Sequence, residues 1–217
     1  MFFARVFFAL TVSLCTTLTT QAMSRQPLPV TVSYAVGAHT GAPVIYTLTV
    51  NGSVLHPPGI ASFGAARVPP VGSGAIVAYV PRLSAPNTTK IDIKVEWTEI
   101  WSGQRYQAET LLNTEQYPWF EDEMRMNITF EQNGGLIIRL DSEELWEEIV
   151  ERKSSGPLTL DDYIIAFDTC APRLDGPSFS EAEVREQLNQ IWAADIERLE
   201  ANRDSPLPPA RCSGFGE

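Results

Sequence analysis

Apolar residues recur at every second position in several stretches, the period of a strand with one buried face. Val30, Val32, Tyr34 and Val36 share one parity, as do Val44, Tyr46, Leu48 and Val50, where Asn51-Gly52 closes the run. Ile91, Ile93, Val95 and Trp97 face one way while Lys90, Asp92, Lys94 and Glu96 face the other. Beyond the Ser102-Gly103 turn, Tyr106, Ala108, Thr110 and Leu112 form the returning strand of a hairpin. A second hairpin alternates Met124, Met126, Ile128 and Phe130 with Arg125, Asn127, Thr129 and Glu131, then turns at Asn133-Gly134-Gly135 into Leu136, Ile138 and Leu140. Ala75 to Val80 is continuously apolar and reads as a fully buried strand. Pro57, Pro58, Pro69, Pro70, Pro81 and Pro86 make its surroundings rich in loops.

The period changes after Leu140. Asp141 with Glu144 forms a helix-capping pattern ahead of the stripe Leu145, Trp146, Ile149 and Val150. Ser180 with Glu183 is a capping box opening a helix through Val184, Leu188, Ile191, Trp192 and Leu199, which runs to about Asn202 before Pro206, Pro208 and Pro209 stop it. Between the two helices, Tyr163, Ile164, Ile165 and Phe167 favour a strand. Strands followed by helices predict an α+β fold, an antiparallel β-sandwich-like sheet domain with C-terminal helices covering a face or an edge.

The first 22 residues set the compartment. Arg5, the apolar run Val6 to Cys15 and the exit Thr20-Gln21-Ala22 have the layout of a secretory signal peptide cleaved near Ala22. The run is too short for a membrane span of about 20 residues. Leu14 stands where a lipoprotein signal ending at Cys15 needs a small residue. The expected organisation is therefore signal peptide 1–22, β-rich domain 23–140, and an acidic helical part 141–217 packed on the sheet. Two cysteines remain after cleavage, Cys170 and Cys212. In a periplasmic or secreted protein they are expected to form a disulfide that ties down the tail. The closed loop of about 43 residues is worth roughly 4 kcal/mol in the chain-entropy model.

Charge is divided along the chain. The formal net charge is −11, yet no Asp or Glu precedes Asp92; all 27 acids follow, against 11 basic residues, a balance of −16. Glu143, Glu144, Glu147, Glu148 and Glu151 lie opposite the apolar stripe of the first helix. A field of this sign excludes a phosphate-binding footprint, so nucleic acid is not an expected partner. It suits a solvated helix face or a docking surface for a basic protein, with charge mainly speeding and selecting the encounter. Those five glutamates are the candidate partner-binding residues, together with Trp119 and Phe120 in the Tyr117-Pro118-Trp119-Phe120 connection, where aromatics supply large contact area at low entropic cost. Trp97, which shares strand parity with Trp101, is assigned to the core.

Catalytic chemistry is weakly signalled. His39 and His56 are read as loop residues beside Thr40-Gly41 and Pro57-Pro58, with no partner in the local sequence and no zinc-ligand spacing. Gly72-Ser73-Gly74 is not a nucleophile elbow. Glu121-Asp122-Glu123 and Asp161-Asp162 lack the spacing of a calcium loop. No catalytic residue, metal or cofactor is assigned.

The Tyr34 strand, the Gly41 to Val50 strand ending Val50-Asn51-Gly52, the Val95-Glu96-Trp97 strand, the Tyr117-Pro118 connection and the Asn133-Gly134-Gly135 turn, in that order, carry a resemblance. From Val30 to Leu140 the chain resembles a family of small β-rich periplasmic proteins and lipoproteins of Gram-negative bacteria. Members of that family are found as immunity proteins beside phospholipase effectors of the type VI secretion system. The resemblance implies a binding protein that acts by occlusion, and it brings no catalytic residues. The chain departs from the family in lacking a lipobox and in its acidic helical C-terminus. Two readings from other classes are a secreted hydrolase or carbohydrate-acting enzyme using loop carboxylates with His39 or His56, and a structural or assembly protein of the cell envelope.

Overall fold

The alternating stretches become strands β1 (Thr31–Ala38), β2 (Val44–Val50), β3 (Ser53–Ala61), β4 (Ala78–Val80), β5 (Lys90–Glu99), β6 (Arg105–Asn113), β7 (Glu123–Glu131), β8 (Gly135–Asp141) and β9 (Ile164–Cys170), followed by helices α1 (Glu181–Trp192) and α2 (Ile196–Ala201). The computed structural model describes residues 31–39, 41–62, 78–80, 90–113, 116–117, 123–141, 147, 151, 164–176 and 179–213. The signal peptide, Ala75 to Val77 and most of the first helix lie outside them. Two sheets of mostly antiparallel strands with two short C-terminal helices make an α+β fold. One sheet has the order β4-β1-β7-β8-β9 and the other β3-β2-β5-β6.

Register follows the turns. Asn51 and Gly52, both at positive φ, join β2 to β3, and the β5–β6 hairpin sets Ile91 opposite Leu112 and Trp97 opposite Tyr106. Asn133 and Gly134, again at positive φ, place Phe130 opposite Leu136 and Met126 opposite Leu140. At Gly134 the glycine is needed twice over, because a Cβ there would lie 2.6 Å from the Tyr106 ring and 2.7 Å from the Ala171 carbonyl.

Three expectations need correction. The sheets are not wholly antiparallel: β1 runs parallel to β7, with Val32 beside Met124 and Val36 beside Ile128. Parallel neighbours cannot be joined by a tight turn, so no short-range signal marks this pairing. The polar face of the β7–β8 hairpin is not left to solvent. Asn127 and Thr129 are buried, as are Ile137 and Arg139 on the same face, and Asn127 stands directly opposite Arg139 in the ladder. The continuously apolar segment is a strand over its described part, β4, which pairs antiparallel with β1. Finally, the C-terminal helix is interrupted at Ala193–Asp195, a 3-10 turn entered through Trp192 at φ −138° and ψ 37°. The physical reason is visible in its ion pairs: an unbroken helix would put Glu181 and Arg203 about 33 Å apart at 1.5 Å per residue, whereas Arg203 Nη1 is 3.0 Å from Glu181 Oε1. The chain reverses at the break, so α1 and α2 form a hairpin.

One buried cluster takes residues from both sheets, including Tyr34, Val36, Met126, Phe130 and Ile138 from one and Tyr46, Leu48, Ile93, Trp97 and Tyr106 from the other. Its centre is aromatic. Trp97 and Phe130 rings lie 5.3 Å apart, Trp97 stacks on Tyr106 at 5.5 Å, and Tyr46 reaches Phe130 at 5.7 Å. Such ring pairs add about 0.5–1.5 kcal/mol beyond the area they bury. Burial, with the neighbouring Tyr34 hydroxyl second, pushes the Tyr46 phenol up to about 12. A second cluster joins Val184, Leu188, Leu199 and Ile196 of the helices to Ile45, Ile60, Ile100, Trp101 and Phe179. Ile45 and Ile60 are opposite each other on β2 and β3, on the face turned away from Val44 and Tyr46, so the helical hairpin covers the back of the four-stranded sheet. Trp101 accordingly does not share the environment of Trp97; it sits in the β5–β6 turn beneath Arg203, whose guanidinium is 4.8 Å from its ring.

The chain from β9 to α1 stitches the sheets together. Ala171 N donates to Gly134 O, Leu174 N to Arg105 O and Phe179 N to Gly103 O, and Arg173 bridges Tyr106 beyond the end of β9. Gly103 has φ +66°, and a Cβ there would overlap the Phe179 carbonyl. Gly103→Ala is therefore expected to destabilise the protein by about 2–4 kcal/mol, combining left-handed strain with a backbone clash. Gly52→Ala, also at positive φ but with open space around it, should cost only about 1–2 kcal/mol. Urea unfolding of the two variants measures the difference.

Candidate functional site

Among the predicted site residues, Glu147 and Glu151 have helical backbone and are exposed. Glu143, Glu144, Glu148, Trp119 and Phe120 lie outside the described residues. The expected disulfide is present: Cys170 and Cys212 are bonded with Cα atoms 5.6 Å apart, inside the usual span for such a bridge.

A second acidic surface, on α1 and α2, has the fuller geometry. Ser180 Oγ accepts from Glu183 N, and Glu183 Oε2 accepts from Ser180 N at 2.7 Å, the complete capping box. The Ser180 hydroxyl, which donates to Glu183 Oε2 at 2.7 Å, and then the Ser180 N–H hold the Glu183 carboxyl below its usual range. Residues 181–204 contain seven acids and three arginines, and each arginine is engaged within the hairpin. Arg185 bridges Glu181 and Glu200, Arg203 reaches Glu181, and Arg198 meets Asp195 at 2.8 Å. The hydrogen bond from Arg203, then that from Arg185, holds the Glu181 carboxyl below its usual range. Glu186, Glu197 and Asp204 are exposed and belong to no ion pair among the described residues. The acid excess was legible in the sequence, but the chain reversal that gathers it onto one surface was not.

The tail after α2 forms a strap, Ser205 to Cys212. It passes the β1–β2 connection, where a Cβ on Gly41 would lie 2.8 Å from Ser205 O and 3.0 Å from Leu207 Cδ2. It then reaches the β7–β8 turn. Gln132 Nε2 donates to Pro208 O at 2.9 Å and Asn133 Nδ2 to Cys212 O at 3.0 Å, while Arg211 pairs with Glu131 at 2.7 Å and with Asp168. Cys212 is the one residue of the strap that is fully buried. Ordering a residue costs about 1–2 kcal/mol in backbone freedom; a hydrogen bond returns about 0.5–1.5 kcal/mol and an exposed ion pair less. The covalent tie is therefore the strap's principal anchor.

The two histidines are not brought together by any described contact. His39 lies in the β1–β2 connection as predicted, and its Nδ1 accepts from Gly41 N at 3.0 Å. His56 is on β3 opposite Leu48 rather than in a loop. Pro57 and Pro58 can continue this strand because β3 ends the sheet and its register with β2 shifts between Tyr46–Gly59 and Leu48–His56, a bulge that leaves both prolines outside the ladder. No group of three or more His, Cys, Asp or Glu suited to holding a metal ion occurs among the described residues.

Fold and surface together define a disulfide-tied α+β protein with an acidic helical face. In comparisons with known proteins the chain matches no family model, no curated protein and no solved structure.

Burial lowers the His39 pKa from 6.5. The folded state then favours neutral imidazole, so this group's contribution is complete above the unfolded value and is lost as pH falls through the lowered folded value. Protonation at Nδ1 would also remove the acceptor of Gly41 N. The expected outcome is an imidazole that titrates below 6.5 by NMR, and a stability advantage of wild type over His39→Ala that shrinks as pH drops from about 7 towards 5.

Proposed function

We propose that the chain is a protein-binding module of the periplasm or another oxidising compartment outside the cytosol, which neutralises a basic partner protein by covering it, as an immunity protein covers its effector. The observation that carries this reading is the division of charge over the fold. Residues 31–62, which supply β1, β2 and β3, contain no Lys, Arg, Asp or Glu. These strands lie together on one side of the two sheets: β1 contacts β3 across the sheets, and at the opposite side β6 contacts β9. Every acid lies from Asp92 onward in the chain, beyond these three strands. The hairpin α1–α2, laid over the uncharged strands β2 and β3, pairs its three arginines with its own acids and offers Glu186, Glu197 and Asp204 to solvent. A negative surface built this way attracts a basic protein and repels nucleic acid.

Several coarser findings support the setting. A disulfide is formed, and such bonds persist in oxidising compartments. No helix among the described residues is long and apolar enough to cross a membrane. The single buried cluster shared by both sheets supports the sandwich-like arrangement, with the helices and the tail packed outside it. The likeness to effector-neutralising periplasmic proteins supplies the kind of partner, a secreted effector, and the mode of action, occlusion without chemistry.

The test is a kinetic one. A partner captured by the oxidised chain at low salt should associate more slowly as salt rises. Two charge-reversed variants, Glu143, Glu144, Glu147 and Glu148→Lys together and Glu186 with Glu197→Lys, identify which acidic surface docks. The variant at the true interface should associate about tenfold or more slowly, with a flatter salt dependence and a smaller change in dissociation. Unchanged association in both variants, or a partner without basic character, overturns the proposal.

A further inference from the structure

The segment closed by the disulfide follows a circuit around the molecule. It leaves β9 at Cys170, pairs beside β6 at Arg173 and Leu174, and crosses the back of the four-stranded sheet as α1–α2. It then returns past Gly41 and the β7–β8 turn to Cys212, whose sulfur lies 3.4 Å from where a Cβ on Gly135 would be, and Gly135 pairs directly with Cys170. The outward and return legs are held differently. The hairpin has its own buried apolar seat through Val184, Leu188 and Leu199. The strap has exposed or half-exposed residues from Ser205 to Arg211, and its single buried side chain is the cysteine that ends it. The two cysteines differ as well: Cys170 is an exposed residue at the end of a terminal strand of its sheet, while Cys212 is buried.

We infer that the Cys170–Cys212 bridge is a redox-controlled clasp: with the bridge reduced the strap is released while both sheets and the α1–α2 hairpin stay folded, and oxidation closes it. A dithiol reductant supplies the chemistry. Its thiolate attacks the sulfur of Cys170, the exposed residue of the pair, the S–S bond breaks, and its electron pair leaves on Cys212. The second thiol of the reductant then displaces Cys170 from the mixed disulfide, giving two protein thiols and the oxidised, cyclic reductant. Release removes Arg211 from Glu131 and Asp168 and the strap from Gly41. A newly made chain in a reducing compartment would thus have a finished core and an open end, and it would complete that end on reaching an oxidising one. This inference is independent of the partner-binding proposal, since its readout requires no partner.

The experiment is hydrogen exchange by mass spectrometry on the full folded chain, before and after reduction with dithiothreitol under native conditions, with thiol alkylation to confirm two free cysteines. Deuterium uptake is expected to rise at least several-fold in peptides covering Ser205–Ser213 and, less, around Gly41 and Gln132–Gly134, with no change across β2, β5 and β6 or at Val184–Leu188. Reoxidation should restore the original pattern. The double variant Cys170→Ser with Cys212→Ser should match the reduced protein. Unchanged protection in the strap would show that non-covalent contacts hold it, and a rise over the whole chain would show that the bridge holds the fold itself. Either result overturns the clasp.

Discussion

Everything in this molecule is built out from the aromatic contact between its two sheets. Trp97 and Tyr46 are cross-strand neighbours on β5 and β2, and both lean on Phe130, which comes from β7 in the other sheet. Each ring is large enough to span much of the distance between the sheets, so their positions fix how the sheets lie on each other. The constraint propagates outward. Tyr106, stacked on Trp97, requires a residue without a side chain at Gly134, and Gly134 in turn receives Ala171 as the chain leaves β9. The path of the chain as it leaves β9 is thus tied to the core.

That segment acts as an external brace. It contributes little to the central cluster beyond β9 and Ala171, yet it covers the back of one sheet with α1–α2 and returns to the other through a disulfide. Three kinds of attachment operate along it. Backbone bonds at Ala171, Leu174 and Phe179 set its direction, apolar burial at Val184, Leu188 and Leu199 seats the hairpin, and a covalent bond fixes the strap. They weaken under different conditions. Acid protonates Glu181 and loosens the Arg185 and Arg203 pairs of the hairpin, while reductant acts only on the strap.

Local patterns in the sequence foretold local structure. Alternation located β1, β2, β5, β6, β7 and β8, Asn-Gly dipeptides located two turns, and Ser180 with Glu183 located the start of α1, because each depends on residues within a few positions of one another. What escaped was non-local. The parallel pairing of β1 with β7 joins residues about 90 positions apart and leaves no mark on either strand. The break after Trp192 is invisible to helical periodicity, since Val184, Leu188, Ile196 and Leu199 keep the spacing of one continuous helix; only the fold-back that brings Arg203 to Glu181 reveals it. Of the candidate site, the acid excess and the cysteine pair were legible as composition. The surface of α1–α2 was not, because it exists only after the chain reverses. His56 was misplaced because adjacent prolines normally mark a loop, and here a bulge in a strand at the end of its sheet accommodates them.

The charge division has a physical logic of its own. Strands β1 to β3 offer no charged side chain, so the back of β2 and β3, with Ile45 and Ile60, would be an apolar surface in water if left bare. The hairpin that covers it exchanges that surface for Glu186, Glu197, Asp204 and a set of arginine-centred ion pairs. The choice of strands matters as much as the choice of cover. Seven acids over strands that carried acids would be repelled, and the cost would fall on the same apolar contacts that seat the helices; the acids of this sheet, Asp92, Glu96 and Glu109 among them, are on β5 and β6. β2 and β3 bring no like charge to the acids laid over them, and the arginines of the hairpin, such as Arg198 beside Ser62 and Arg203 over Trp101, also face polar or aromatic groups. An acid-free N-terminal part and an acid-rich C-terminal part are therefore complementary halves of one construction. The first provides a neutral platform, and the second concentrates negative charge on it without weakening the fold.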